Sequence, residues 1–205
     1  MQVEKPVPDV RPTLTDFMRL RFKGVLDPIG AALNRIGLTP NTLTLIGLAG
    51  NAVGAVLLAR GELTWGGLLV LAMGPIDALD GTMARLRGER TDFGAFVDSV
   101  TDRYSELIIL GGLLIHYVLR ADQLMAGLVF AAAAGSVLVS YVRARAEALG
   151  FSAKVGVLSR MERYFVLAPT LVFGYPAVGV AIVAVLANFT ALQRVYVVRT
   201  QARRR

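Results

Sequence analysis

Between Asp77 and Asp102 the chain places four carboxylates inside or beside apolar runs long enough to sit in a bilayer. The stretch reads D-A-L-D-G-T-M-A-R, then eight residues, then G-A-F-V-D-S-V-T-D. Ionisable groups in such segments are costly and need partners, so this stretch constrains how everything around it can fold. Asp77 and Asp80 stand at i, i+3, and Asp98 and Asp102 at i, i+4, so each pair shares one helix face. Two helices joined by a short polar turn bring the pairs together. Four bare carboxylates at one point repel, and a divalent cation removes that repulsion. With no Cys in the chain and no His nearby, all-oxygen ligands favour Mg²⁺ or Mn²⁺ over zinc.

The positions around the acids suit a phosphate reaction. Gly81, Ala84 and Gly94 keep side-chain bulk away from the carboxylates. Arg85, five residues after Asp80, supplies a planar, permanently charged donor for phosphate. Together these residues form D-x2-D-G-x2-A-R-x8-G-x3-D-x3-D, as Asp77, Asp80, Gly81, Ala84, Arg85, Gly94, Asp98 and Asp102. The chain thereby resembles the CDP-alcohol phosphotransferases, whose signature this is.

The composition places the site in a membrane. The 205 residues are 55% hydrophobic with a mean hydropathy of +0.57, too apolar for an ordinary soluble domain. The absence of Cys excludes disulfides and thiolate catalysis. A formal charge of +7 and a pI near 10.2 fit cytoplasmic loops facing anionic lipid, and no nucleic-acid partner is expected. The first forty residues hold no apolar run of the kind that marks a cleaved signal peptide.

The pattern predicts an all-α integral membrane protein with six transmembrane helices, preceded by an amphipathic interfacial helix. Residues 1–38 form a polar segment and that juxtamembrane helix, 39–200 the catalytic membrane domain, and 201–205 a basic tail. From Thr13, Phe17, Met18, Leu20, Phe22, Val25, Leu26, Ile29, Leu33 and Ile36 recur near helical spacing among Arg19, Arg21, Lys23 and Arg35. The spans are expected near Asn41–Leu58, from Leu63 with a loosened helix at Gly74-Pro75, and at Gly94–Leu119. The remaining three are expected near Leu124–Val142, Tyr164–Phe173 and Ala177–Val198. Outside the site, only Arg60 and Arg120 fall on one side of this plan. All other Lys and Arg fall on the other, so the positive-inside rule makes both termini and the acids cytoplasmic, in the plasma membrane.

The resemblance implies transfer of a phosphatidyl group from CDP-diacylglycerol to an alcohol, with CMP released and two metal ions, Mg²⁺ or Mn²⁺, held by Asp77, Asp80, Asp98 and Asp102. It assigns the general base to Asp102; spacing alone does not choose among the four. It also implies that Pro40, Asn41, Thr42, Leu43, Gly81, Arg85 and Thr91 hold the nucleotide. Pro40 to Leu43 opens the first span, where free N–H groups suit an anionic or polar ligand, although the same residues serve an ordinary N-cap.

Arg143, Arg145, Lys154, Arg160 and Arg163 gather around the fourth-to-fifth turn, a density that suits an acceptor already carrying phosphate. The runs L-D-P-I-G, G-L-T-P-N, A-R-L-R-G and S-Y-V-R-A-R-A-E resemble the actinobacterial phosphatidylinositol phosphate synthases of the family, which implies inositol 1-phosphate as the acceptor. Glycerol 3-phosphate, or an uncharged alcohol, is the alternative. A cation transporter is a remoter one, opposed by acids crowded at one end of the spans. Glu106 continues the Asp98, Asp102 face and is expected to pair with Arg143 or Arg145. Gly111-Gly112, Gly127 and the Ala131–Ala134 run permit close helix packing, and the resemblance implies a homodimer among membrane lipids.

Overall fold

The computed structural model describes residues 14–88 and 91–204, with side chains from Arg21 onward. The polar segment before Leu14, Glu89 and Arg90 of the polar turn, Arg205, and the side chains of Phe17 to Leu20 lie outside that description. The described residues form seven α-helices and no strand. They are α1 Leu14–Arg35, α2 Pro40–Arg60, α3 Leu63–Arg87, α4 Asp92–Leu119, α5 Gln123–Ala148, α6 Arg160–Val172 and α7 Pro176–Ala202.

The helix boundaries follow local chemistry. Thr39 caps α2 by accepting from the Thr42 N–H at 3.2 Å, with Pro40 in the first turn, where its missing N–H costs nothing. Gly61 ends α2 in the left-handed region at φ 93°, and Gly88 does the same for α3 at φ 67°. Thr91 caps α4 through the Gly94 N–H at 3.0 Å. Ser159 and Glu162 form a reciprocal capping box that starts α6.

Four helices, α2, α3, α5 and α7, are long and apolar enough to cross a membrane. α4 has 28 residues but carries acids along its first half. α6, expected as a span from Tyr164, begins at Arg160 and has only 13 residues, about 20 Å of helix against a hydrocarbon core of about 30 Å.

α2 packs against both α3 and α4, α5 against α7, and α3 against α1 and α6. The core holds Leu58, Val70, Leu110, Leu113, Val129, Leu171, Val180 and Val183, all within 1% of full burial. Large apolar side chains also line the outside, among them Leu45, Val53, Phe130, Val185 and Leu192, as on a bundle solvated by lipid. Gly112 serves the fold itself: a Cβ there would run into the backbone of Ala55 on α2. Gly111 and Gly127 face open space.

At Gly74-Pro75 the expected loosening does not occur; α3 runs through as one helix of 25 residues. Pro75 has no N–H for the Leu71 carbonyl four residues back. The Tyr164 hydroxyl of α6 donates to that carbonyl at 2.7 Å instead, and the missing side chain at Gly74 makes room for the phenol. The proline is a docking notch for α6.

Candidate active site

The α3–α4 hairpin delivers the acids. Asp77 lies in the second half of α3, and Asp98 and Asp102 in the first half of α4. One carboxylate oxygen from each lies within 4.8 Å of the others. Burial grades across the cluster: Asp98 is exposed, Asp77 half-buried and Asp102 only 7% exposed.

Asp80 is not in this tripod. It is 5% exposed and turned toward α2, where its Oδ2 accepts from the Thr44 hydroxyl at 2.6 Å. Its Oδ1 accepts from the Gly81 N–H at 2.5 Å. The i, i+3 spacing does put Asp77 and Asp80 on one face, but a buried hydroxyl across the α2–α3 contact captures the second carboxylate. Thr44 thus belongs to the site although no motif marks it; its partner is 36 residues away.

A guanidinium from α6 reaches two of the three acids. Arg160 Nη2 donates to Asp77 Oδ2 and its Nη1 pairs with Asp102 Oδ2, each at 2.5 Å. Arg103 Nη1 stands 3.8 Å from the same Asp102 oxygen. Asp102 Oδ1 is buried and has no hydrogen-bond partner. Three converging carboxylates, one with a buried oxygen still to be satisfied, fit a hard divalent cation. Asp77, Asp98 and Asp102 could hold it, with Asp80 adjacent.

The other expected site residues divide into two groups. Around the hairpin, a Cβ on Gly81 would meet nothing within 4 Å, so the space beside that residue is open. Arg85 folds along α3, its Nε donating to the Gly81 carbonyl at 3.1 Å and its Nη2 to Thr82 Oγ1 at 2.7 Å. Asn41 is exposed, Thr42 half-buried and Leu43 buried at the start of α2, while Thr91 is occupied as a helix cap. Arg87 fastens α1 to this end of α3, donating to Asn34 Oδ1 at 2.7 Å and to the Leu38 carbonyl at 2.6 Å.

The basic cluster is less uniform than its sequence. Arg145 and Lys154 are exposed, and Arg143 pairs with Glu147 at 3.0 Å. Arg160 reaches the acids. Arg163, expected among the acceptor readers, is 2% exposed and forked onto Glu106 at 2.6 and 2.9 Å, so it has no reach to a ligand. This also corrects the expected partner of Glu106, which is Arg163, not Arg143 or Arg145. No local motif marks Arg194. It is buried and joins the stretch before α6 to α5, donating to the Val155 carbonyl at 2.8 Å and the Val139 carbonyl at 2.5 Å.

A family profile described as CDP-alcohol phosphatidyltransferase matches residues 37–199. A phosphatidylinositol phosphate synthase of Streptomyces avermitilis is 38% identical, the match covering 92% of this chain and 84% of that one. Two crystal structures of the Mycobacterium tuberculosis phosphatidylinositol phosphate synthase are similar at 32% identity. One, with CDP-DAG bound, has a TM-score of 0.79 over 85% of this chain and 94% of that chain. The other, in complex with manganese and citrate, has a TM-score of 0.81 over 86% and 90%.

Proposed function

This chain belongs to the CDP-alcohol phosphatidyltransferase family, and on that premise we propose that it transfers the phosphatidyl group of CDP-diacylglycerol to a hydroxyl of inositol 1-phosphate. The convergence of Asp77, Asp98 and Asp102 within 4.8 Å carries this reading. The acceptor oxygen attacks the lipid-linked phosphorus, the bond to CMP breaks, and Asp102 takes the acceptor's proton.

Asp77, Asp80, Asp98 and Asp102 would hold two divalent ions, Mg²⁺ or Mn²⁺. Such ions, when bound, offset the charge of the pyrophosphate and stabilise the departing CMP. Pro40 to Leu43, Gly81, Arg85 and Thr91 surround the cytidine diphosphate. Arg160 would exchange its carboxylate partners for the acceptor's phosphate once those carboxylates are otherwise neutralised, with Arg143, Arg145 and Lys154 adding positive charge.

In this reading α4 and α6, the latter with the segment before it, complete six spans in the 39–200 domain. α1 lies on the membrane surface and Phe22, Val25 and Ile29, all exposed, meet lipid. Both termini and the site face the cytoplasm at the plasma membrane, and two copies form a homodimer.

The test is CMP release by purified protein given CDP-diacylglycerol, Mg²⁺ and either inositol 1-phosphate, free inositol or glycerol 3-phosphate. Inositol 1-phosphate is the expected acceptor; equal or better use of another alcohol replaces it. Chelation should stop release and Mg²⁺ or Mn²⁺ restore it. Arg160→Gln should raise the acceptor KM about ten- to a hundredfold, the scale of one lost charge-assisted bond.

A further inference from the structure

Asp102 and Glu106 stand at i, i+4 on α4, and Arg160 and Arg163 at i, i+3 on α6, so each pair lies one turn apart on one face. The fold turns this spacing into two rungs between the helices. The outer rung joins Arg160 to Asp102, with the Arg160 side chain 35% accessible. The inner rung joins Arg163 to Glu106 as a two-bond fork, with side chains 2% and 16% accessible. The third face of that guanidinium is used as well, Nη1 donating to the Leu158 carbonyl at 3.3 Å.

Stability does not account for the inner rung. Taking both charges out of water costs about as much as their attraction returns, and apolar residues of similar volume commonly do as well or better. Geometry does account for it. α4 and α6 have no extensive packing of their own. α6 follows a stretch, 151–159, without helix or strand, in which Gly156 adopts φ 140°. α6 itself is seated on α3 and α7, with Leu167, Ala168 and Leu171 buried and the Tyr164 hydroxyl bonded to α3, so its body is fixed without α4. The fork onto Glu106 supplies the tie between the first turn of α6 and α4 that packing does not, and sets Arg160, one turn away, at Asp77 and Asp102.

We propose that Glu106 and Arg163 are a positioning pair for the reaction: neither touches substrate, and together they hold Arg160 at the carboxylates. The part concerning the acceptor rests on the function proposed above; the part concerning the carboxylates does not.

The test is the double variant E106L/R163M, apolar and matched in volume, reconstituted in lipid nanodiscs beside the wild type. Its unfolding midpoint should equal or exceed that of the wild type. Its KM for the acceptor should rise about tenfold or more, as for loss of a charge-assisted contact, with the KM for CDP-diacylglycerol within about twofold. Without any substrate, Mn²⁺ should bind severalfold more tightly by electron paramagnetic resonance, because a loosened Arg160 competes less for Asp77 and Asp102. Adding Arg160→Gln to the double variant should change neither quantity further, the non-additivity of residues acting through one another. A folded double variant with wild-type acceptor KM and wild-type Mn²⁺ affinity overturns the proposal. If the double variant does not fold, Arg163→Lys decides, since it keeps the charge and loses the fork. Tighter Mn²⁺ binding and a higher acceptor KM support the pair; no change in either refutes it. Should another alcohol prove to be the acceptor, the Mn²⁺ measurement stands unaltered, so the two readings fail separately.

Discussion

From Asp92 to Glu106, α4 carries five charged side chains; from Leu107 to Leu119 it carries no Asp, Glu, Lys or Arg. The second half buries Ile109, Leu110, Gly112, Leu113, His116 and Tyr117 against the bundle. The first half buries only Asp102, and leaves Phe93 and Phe96 more than 60% exposed. One half is therefore fixed by close packing, with Gly112 against the Ala55 backbone. The other is fixed by pairs of opposite charge reaching across to α6. The chemistry sits where packing is thin, because a site that must admit a large polar ligand cannot also be filled. The packed half supplies the rigid base from which the acids project.

Asp98→Asn separates the two halves most sharply. It should lower CMP release by at least about a hundred- to a thousandfold, the scale at which preorganised charge stabilisation is lost, while the unfolding midpoint stays near that of wild type. Near-normal turnover at saturating Mg²⁺ would remove Asp98 from the metal centre.

Gly112→Val attacks the other half. Its Cβ would collide with the Ala55 carbonyl, so thermal unfolding in detergent should show a loss of about 1–3 kcal/mol, the usual cost of overpacking. Activity of the folded fraction, assayed well below the unfolding midpoint, should be retained. A large drop in turnover there would show that the halves are not separable.

The smallest effect is expected at the far end, where Arg120 Nη1 stands 2.9 Å from His116 Nε2. Arg120→Gln should cost at most about 1 kcal/mol, a typical net hydrogen bond, and leave CMP release unchanged. A change in acceptor or nucleotide KM would mean that the packed half transmits strain to the acids.

The acidic hairpin was legible because its information is local. Residue spacing along α3 and α4, together with the threonine and glycine at the turn, determines which faces meet. The start of α6 was also written locally, as Ser159 and Glu162 at capping-box spacing, but the charged residues there read as a turn. Three features required contacts made at long range. Asp80 turns to Thr44 because α2 crosses α3 at that height. Glu106 selects Arg163 among several nearby bases because α6 is set by its docking on α3. Pro75 stays helical because Tyr164, 93 residues from Leu71, supplies the donor its backbone lacks. Propensity anticipates the interrupted hydrogen bond; only tertiary structure says what replaces it.

The distance along the chain between the acids and their guanidinium also has a meaning in time. Asp77 is separated from Arg160 by 83 residues, and Glu106 from Arg163 by 57. At a synthesis rate of about 5–20 residues per second, the α3–α4 hairpin exists for several seconds before either arginine has been made. Through that interval its carboxylates have no counter-charge from α6 and must remain where water can reach them. An acidic site placed at mid-depth would have no such refuge, so the order in which the ribosome delivers the helices favours a site at the membrane's edge.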